Sequence, residues 1–482
     1  MELPIYFSES IRSLLGKDES EHLVTALSND PSVSIRVNSR FKAGMEQREV
    51  LDGVQVPWTT QGYYLQKRPS FTFDPLFHAG CYYVQEASSM FIEQALRTYV
   101  HEPVVMLDLC AAPGGKSTHL LSLLPEGSLL VANEIMRNRS QILVENITKW
   151  GCPNVVVTNN EPADFMPLEA LFDVMLTDVP CSGEGMFRKD EVAVSEWSLE
   201  NVEICWQRQR RILTDVWGSL KPGGLLIYST CTYNSKENEE NVSWICRELG
   251  AEVLSLDIPD SWGITGNLAG EDFPVFRFLP HKTQGEGFFM AVLRKHGELH
   301  SQPSVYAAPS HASKSSKAKK NKTAGNMIPK DAIIQVKSWI QYSEAYEWSV
   351  SSTAVSAFPA VYADLLALLK QYLRVMLSGL EIGEWKGKDW VPCHALALSY
   401  ALLPSAFPQA ELSYEQAVAY LRKEAVVLDV SVPRGVVLVT FQQIPLGFVK
   451  NIGNRANNLY PSEWRIRSGY LPEQEVKVLK LS

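Results

Sequence analysis

The stretch Val104-Val105-Met106-Leu107-Asp108-Leu109-Cys110-Ala111-Ala112-Pro113-Gly114-Gly115-Lys116-Ser117-Thr118 limits what this chain can fold into more than any other. Its unbroken apolar start reads as a buried parallel strand, and the small residues that follow turn tightly into a helix beginning near Lys116. With little bulk at Ala111, Ala112, Gly114 and Gly115, a ligand can approach the backbone closely and meet the free N–H groups of a helix N-terminus. Any α/β protein can contain a tight strand-to-helix turn, so the surrounding sequence has to decide.

Further buried strands are expected at Ser128 to Ala132, Asn154 to Thr158, Phe172 to Asp178, Leu225 to Ser229 and Phe288 to Leu293. Helices are expected between them from Arg137 to Trp150, ending at Gly151, and from Leu199 to Leu220, stopped by Pro222-Gly223-Gly224. Alternation of this kind predicts an α/β doubly wound sheet with ligands at the carboxyl ends of its strands. Glu134, at the tip of the second strand, is placed to accept hydrogen bonds from both ribose hydroxyls of a nucleoside, although a carboxylate at a helix start usually faces solvent.

Ahead of this core, residues 4 to 30 read as a helix closed by Pro31, and Val33-Ser34-Ile35-Arg36-Val37-Asn38 as a half-buried strand with Arg36 and Asn38 outward. Short strands near Val54 to Val56 and Tyr63 to Gln66 complete a small α/β module, and a helix is expected from Tyr82 to about Leu96. Residues 297 to 327 change to Ser, Ala and Pro with clustered lysines, the pattern of a flexible basic linker. The last part combines a helix near Ala360 to Leu377 with several short strands. Lys450, Arg455, Arg465 and Arg467, interleaved with Tyr460 and Trp464, suggest either an RNA surface or a solvated basic edge.

At 482 residues the chain has room for two to four domains. It has no apolar run of membrane length and no basic, then apolar, leader at its start, so a cytoplasmic protein is expected. The eight cysteines show no CxxC pairing, which suggests neither a disulfide framework nor a metal site. A net charge of −9 argues against wholesale coating of nucleic acid and leaves local basic patches open.

Two cysteines stand out. Asp178-Val179-Pro180-Cys181-Ser182-Gly183 follows the fourth core strand and Tyr228-Ser229-Thr230-Cys231-Thr232-Tyr233 follows the fifth. Adjacent parallel strands would bring Asp178, Cys181 and Cys231 together beside the cradle. Two thiols and a carboxylate next to a nucleoside cradle suit methylation at carbon 5 of a pyrimidine, a carbon too weak as a nucleophile to react unaided. A thiolate adding to carbon 6, with a carboxyl group at ring nitrogen 3, makes carbon 5 enamine-like, and a second thiolate or a water can then serve as base.

The passages Asp108 to Lys116, Asn133-Glu134, Asp178 to Gly183 and Ser229-Thr230-Cys231-Thr232 resemble the RNA 5-methylcytosine methyltransferases of the Nop2/Sun type. Ser34 to Asn38, Gln85 to Met90 and Gly183 to Asp190 look most like the bacterial branch acting on small-subunit ribosomal RNA. The resemblance is dense from about residue 82 to 295. It implies a Rossmann-like class I methyltransferase core with a mostly parallel seven-stranded sheet, a small N-terminal α/β module and a β-rich PUA-like C-terminal domain.

It also implies S-adenosylmethionine at Cys110, Ala111, Ala112, Pro113, Gly114, Gly115 and Lys116, with Glu134 on the ribose and Asp178 near both cofactor and base. Cys231 would be the nucleophile and Cys181 the thiol that helps release product; DNA cytosine methyltransferases instead attack with the cysteine of the Pro-Cys pair. Arg139 matches a family arginine, and the resemblance implies that it anchors the carboxylates around the cofactor. Where relatives place an Asp near the adenine amino group, this chain has Asn159-Asn160-Glu161-Pro162, leaving Asn160 or Glu161 for that role. In the C-terminal region, Gly379 to Gly383 and Pro445-Leu446-Gly447 carry the PUA-like resemblance.

The expected division is an N-terminal RNA-binding module at 1–80, a methyltransferase domain at 81–296, the linker at 297–327 and the PUA-like region at 328–482. The expected partner is 16S ribosomal RNA or the small ribosomal subunit, with no membrane and no metal. The alternatives are a transfer RNA cytosine-5 methyltransferase and a non-catalytic RNA-binding assembly factor.

Overall fold

The computed structural model describes residues 3–42, 45, 48–298 and 328–481. The expected linker therefore lies outside the described residues, apart from its first two.

Val105–Asp108 (β1), Leu129–Asn133 (β2), Val155–Thr158 (β3), Phe172–Asp178 (β4), Leu220–Thr230 (β5), Ala251–Leu254 (β6), Phe288–Lys295 (β7) and Val375–Ser378 (β8) form one sheet in the order β6-β7-β5-β4-β1-β2-β3-β8. A ninth strand, Phe276–Phe278, pairs with β7. The β5-β4-β1-β2-β3 stretch is parallel throughout, while β7 runs against β5 and β8 against β3. After β1 the chain winds outward through β2 and β3, then returns to β4 on the other side of β1. This makes a topological switch point between β1 and β4, where a crevice opens at the strand ends.

The apolar runs are explained by burial on both faces. Met106, Leu130 and Val155 pack on one side with Leu120 of helix α1 (Gly115–Leu123) and with Leu143 and Ile147 of helix α2 (Arg137–Trp150). Leu107, Val131 and Met175 pack on the other with Ile212 and Leu213 of helix α3 (Leu199–Trp217).

The mostly parallel core stands as expected, enlarged beyond seven strands. Part of the enlargement comes from the C-terminal region: Val375–Ser378 is a strand, not the end of a helix from 360, and the helix spans Ala363–Tyr372. Leu365 and Leu369 of that helix lie in the core of the α3 face. Pro222-Gly223-Gly224 lies within the long strand β5, at an irregularity in its pairing, and α3 ends earlier, at Trp217.

The N-terminal module is a four-stranded antiparallel sheet, Gly53–Gln55, Gly62–Leu65, Val33–Val37 and Tyr82–Val84, preceded by two helices. The expected single helix over 4 to 30 is broken at Gly16, whose φ of +80° ends Ile5–Leu15 before Lys17–Leu27 begins. Tyr82–Val84 is a strand, and the helix expected there is confined to Ile92–Tyr99 after a short 3-10 turn. Arg36 and Asn38 are fully buried, not outward. The strand lies against the core, and both residues spend their polar groups on backbone and side chains from other segments.

The C-terminal region holds two four-stranded sheets, one of Tyr346–Val350, Ala354–Pro359, Leu380–Trp385 and Trp390–Pro392, the other of Gln409–Glu411, Gly435–Phe441, Ile444–Asn451 and Ala456–Asn458. Gly379 to Gly383 thus belongs to the first sheet and Pro445-Leu446-Gly447 to the second. Arg48–Val50 pairs with Leu479–Leu481, and Ile35, Val37 and Leu76 share one apolar cluster with Leu421, Val437 and Leu446. The N-terminal sheet and the C-terminal region are therefore packed together. Tyr460 belongs to that cluster and is fully buried, so it is no part of an RNA surface. Lys450, Arg455, Arg465 and Arg467 are exposed.

Candidate active site

The turn after β1 is held from three directions. Gly114 has a φ of +112°, a conformation open to glycine. Its neighbours' carbonyls are tied down by side chains: Arg139 Nη2 donates to Ala112 O at 2.8 Å, Asn146 Nδ2 to Pro113 O at 2.8 Å and Arg36 Nη2 to Gly115 O at 3.2 Å. A Cβ at Gly115 would stand 3.2 Å from the Tyr83 ring. Gly114 is thus required by backbone conformation, while a side chain at Gly115 would press on the N-terminal module where Tyr83 packs on the turn. Arg36 is a site-building residue that the alternation of its strand concealed. Its guanidinium also donates to Gln85 Oε1 at 2.8 Å and Thr118 Oγ1 at 2.6 Å, and lies 4.3 Å from the Trp150 ring centre.

Three carboxylates stand at the tips of adjacent strands. Asp108 at the end of β1 is fully buried, accepts from Ser117 Oγ at 2.6 Å, and has one oxygen, Oδ1, with no protein partner. Burial pushes its carboxyl up to about 7. Glu134, just after β2, is 2% exposed. Its Oε1 accepts from Met136 N at 2.9 Å and its Oε2 lies 3.5 Å from Arg139 Nη1. Asp178, at the end of β4, accepts from Lys116 Nζ and from Ser229 Oγ, each at 2.8 Å. Burial works against the Lys116 charge, but Asp178 beside it raises the ammonium pKa above its usual value.

These residues fit S-adenosylmethionine. The group is a cation with vicinal hydroxyls; the buried, partly unpartnered Asp108 and the near-buried Glu134 supply acceptors of the required kind. Ala111 and Ala112 line the turn with minimal bulk, and Cys110 keeps its proton because burial raises its thiol pKa. Among the described residues no group of three or more His, Cys, Asp or Glu side chains could hold a metal ion.

Asn160 and Glu161 are both engaged within the protein. Asn160 Oδ1 accepts from Arg374 N at 2.9 Å, its Nδ2 donates to Asp164 Oδ2 at 2.9 Å, and Glu161 caps the turn Pro162–Phe165. Strand β8 thus reaches the loop after β3 through Arg374, which sits just before it.

The parallel register of β4 and β5 sets Asp178 opposite Ser229. The chain segments that follow carry Cys181 and Cys231, whose sulfurs are 3.2 Å apart. The shared hydrogen bond with Cys231, reinforced by burial, pushes the Cys181 thiol well above its ordinary pKa. The two sulfurs are close enough to share one proton, and either can donate it to the other. Cys231 N also points at Cys181 Sγ, at 3.4 Å, and Gly185 N donates to Cys231 O at 2.9 Å. Two buried carboxylates that pattern reasoning passed over, Glu184 and Glu237, sit among these loops.

Comparison with known proteins matches residues 3–87 to the N-terminal domain of the 16S rRNA methyltransferase RsmF, 95–294 to the 16S rRNA methyltransferase RsmB/F, and 407–466 to the methyltransferase RsmF PUA domain. The chain is 31% identical to the ribosomal RNA small subunit methyltransferase F of Serratia proteamaculans over 487 aligned residues, covering 97% of this chain and 98% of the relative. It is 33% identical to the protein of the same name from Citrobacter koseri, covering 86% and 85%.

Among solved structures, a methyltransferase homolog protein from Pyrococcus horikoshii superposes with a TM-score of 0.51 at 27% identity, covering 60% of this chain and 94% of its own. NSun6 from the same organism, determined with SFG, shares the fold with a TM-score of 0.51 at 22% identity, covering 61% and 99%.

Proposed function

The chain belongs to the ribosomal RNA small subunit methyltransferase F family, and from that premise we propose that it methylates carbon 5 of a cytosine in 16S ribosomal RNA. The observation that carries the reading is the pair of sulfurs, Cys181 and Cys231, 3.2 Å apart on the segments that follow β4 and β5, the strands that pair Asp178 with Ser229. Residues 110 to 116, with Glu134 and Arg139, hold S-adenosylmethionine, which when bound supplies an electrophilic methyl group.

The protein's own residues make carbon 5 reactive. The Cys231 sulfur forms a bond to carbon 6 of the ring as its proton passes to nitrogen 3, which then donates to Asp178, oriented by Lys116 and Ser229, and the π electrons displaced by the addition are delivered to carbon 5. Once carbon 5 carries the methyl group, its proton leaves to a base, the carbon 5 to carbon 6 double bond re-forms, and the carbon 6 to sulfur bond breaks. Cys181, next to the departing sulfur, gives it a proton and takes up the one that nitrogen 3 releases, so both cysteines end as thiols.

The N-terminal module (1–80) and the PUA-like region (328–482) flank the methyltransferase domain (81–296), and we assign both to RNA binding, with Lys450, Arg455, Arg465 and Arg467 contacting phosphates. Among the described residues no helix is long and apolar enough to cross a membrane. On this reading the enzyme works in the cytoplasm.

The test is transfer of labelled methyl from S-adenosylmethionine to unmodified 16S RNA, small subunits and transfer RNA, followed by nucleoside analysis. Label as 5-methylcytidine in ribosomal material alone is expected. Label in transfer RNA would move the substrate, and failure to label any RNA would favour an assembly factor. A fully active Cys231→Ala variant would overturn the chemistry.

A further inference from the structure

Neither thiol sits on a regular element. Cys181 and Ser182 follow β4 and Cys231 to Asn234 follow β5 as irregular chain, and the backbone hydrogen bonds that join the two segments, Val179 N to Ser229 O at 3.1 Å and Gly185 N to Cys231 O at 2.9 Å, lie to either side of Cys181 and leave it unpaired with the ladder. Yet the release step needs Cys181 next to Cys231, and something has to keep the two segments in register.

The fixing groups are two carboxylates placed reciprocally. Glu237, on the segment that carries Cys231, reaches across to the segment of Cys181: its Oε2 accepts from Ser182 N at 3.0 Å, the amide immediately after Cys181. Glu184, on the segment that carries Cys181, reaches the other way: its Oε2 accepts from Tyr233 N at 2.7 Å and Asn234 N at 3.0 Å, the amides just past Cys231. The Asn234 side chain bridges them, its Nδ2 lying 3.0 Å from Glu184 Oε1 and 2.8 Å from Glu237 Oε1. From behind, Gln209 on α3 donates through Nε2 to Glu237 Oε2 at 2.7 Å and to Pro180 O at 3.0 Å. Trp197 Nε1 donates to Glu184 Oε1 at 3.0 Å.

Both carboxylates are almost fully buried, 1% exposed at Glu184 and none at Glu237. A buried carboxylate is an expensive choice for mere packing, but it is an acceptor with four lone-pair sites, suited to gathering several amides from two loops. An amide of the same shape would set its NH2 group against donors that are already there.

We propose that Glu184 and Glu237 are positioning residues forming a reciprocal clasp, each carboxylate anchoring the backbone beside the other segment's thiol so that Cys181 and Cys231 stay within proton-sharing distance. The proposal rests on the two-thiol reading of the chemistry. The clasp acts on the thiols and not on the cofactor crevice, so its loss separates release from binding.

The experiment uses the full chain with Glu237→Gln, Glu184→Gln and Asn234→Ala, alongside Cys181→Ala and Cys231→Ala. A first readout needs no RNA. Oxidised glutathione closes the two thiols to a disulfide as it is itself reduced to two thiols, and this closure should slow at least fivefold in each clasp variant while S-adenosylmethionine affinity stays within twofold. A second readout is the protein–RNA adduct stable to denaturing electrophoresis. Glu237→Gln should raise its steady-state amount at least fivefold, and adding Glu237→Gln to Cys181→Ala should change it less than twofold.

Closure at the native rate in Glu237→Gln, or in Asn234→Ala should the Gln variants not fold, would overturn the clasp. So would equal losses of cofactor binding and disulfide closure, which would mark a general structural defect. If closure slows as expected while Cys231→Ala still methylates RNA, the clasp stands and the two-thiol chemistry fails.

Discussion

Ser229 Oγ donates to Asp178 Oδ1 at 2.8 Å across the parallel pair β4–β5, so the carboxylate assigned to the base is oriented by the strand that delivers the nucleophile. Lys116, from the cofactor turn, holds the other oxygen. Asp178 therefore joins the turn after β1 to the strand that leads to Cys231.

Replacing Ser229 with Ala removes one of the two groups that orient Asp178 without exposing the site. A hydrogen bond to a charged group contributes about 1.5–3 kcal/mol, so kcat should fall by roughly tenfold to a hundredfold with KM for RNA little changed. Steady-state methyl transfer checks this; an unchanged kcat would show that Lys116 alone orients the carboxylate.

Arg36→Met should weaken S-adenosylmethionine binding although Arg36 lies in the N-terminal module. The substitution leaves Gln85 Oε1 without its donor, at a cost of about 1–3 kcal/mol for a stranded buried group, and takes one of the two side-chain donors from Gly115 O, which keeps Thr118 Oγ1 at 3.1 Å. Calorimetric titration with the cofactor should show affinity reduced, and chemical denaturation should show a less stable protein. Native affinity would mean that the turn holds its shape unaided.

Gly185→Ala should abolish turnover. A Cβ there would stand 2.5 Å from Gly287 O and 2.9 Å from Cys231 O, both backbone atoms that cannot swing aside. The Cys231 peptide must move, and loss of methyl transfer with cofactor affinity preserved is the expected pattern.

Asp108 makes stability depend on pH in a definite direction. Burial pushes its carboxyl up from 3.8 to about 7, so between those values the folded protein keeps a proton that the unfolded chain has released. Its contribution to stability therefore falls as pH rises through that window and is lowest above pH 7, by on the order of 4 kcal/mol at most. Asp108→Asn cannot ionise, so its stability relative to the parent protein should improve from pH 5 to pH 8 in denaturant titrations. A difference that does not vary with pH would show that the carboxyl titrates normally.

The core of this protein was legible from local pattern because its signals are local. Phe172–Asp178 and Arg137–Trp150 are the strand and helix their sequences predict, since an apolar run and a helical stripe ended by Gly151 require no distant partner to be recognised. The pairing of Cys181 with Cys231 was also foreseeable, because neighbouring parallel strands end at the same edge.

Other features depended on which surface met which. Arg36 and Asn38 follow the alternation of a half-solvated strand, yet the N-terminal sheet packs against the cofactor turn and draws them inward. Val375–Ser378 continues an apolar stretch that suits a helix equally well, and becomes a strand because β3 offers an unpaired edge.

Periodicity and short-range turn preference are enough to mark the α/β core, the alternation of its strands and helices, and the residues carried to the strand tips. What only the tertiary structure decided was the reciprocal anchoring by Glu184 and Glu237, the buried guanidinium beneath the cradle and the C-terminal strand at the sheet edge. These depend on hydrogen bonds and strand pairing between segments far apart in the chain, and a buried charge or an unpaired edge finds its partner only when the fold has brought that partner within reach.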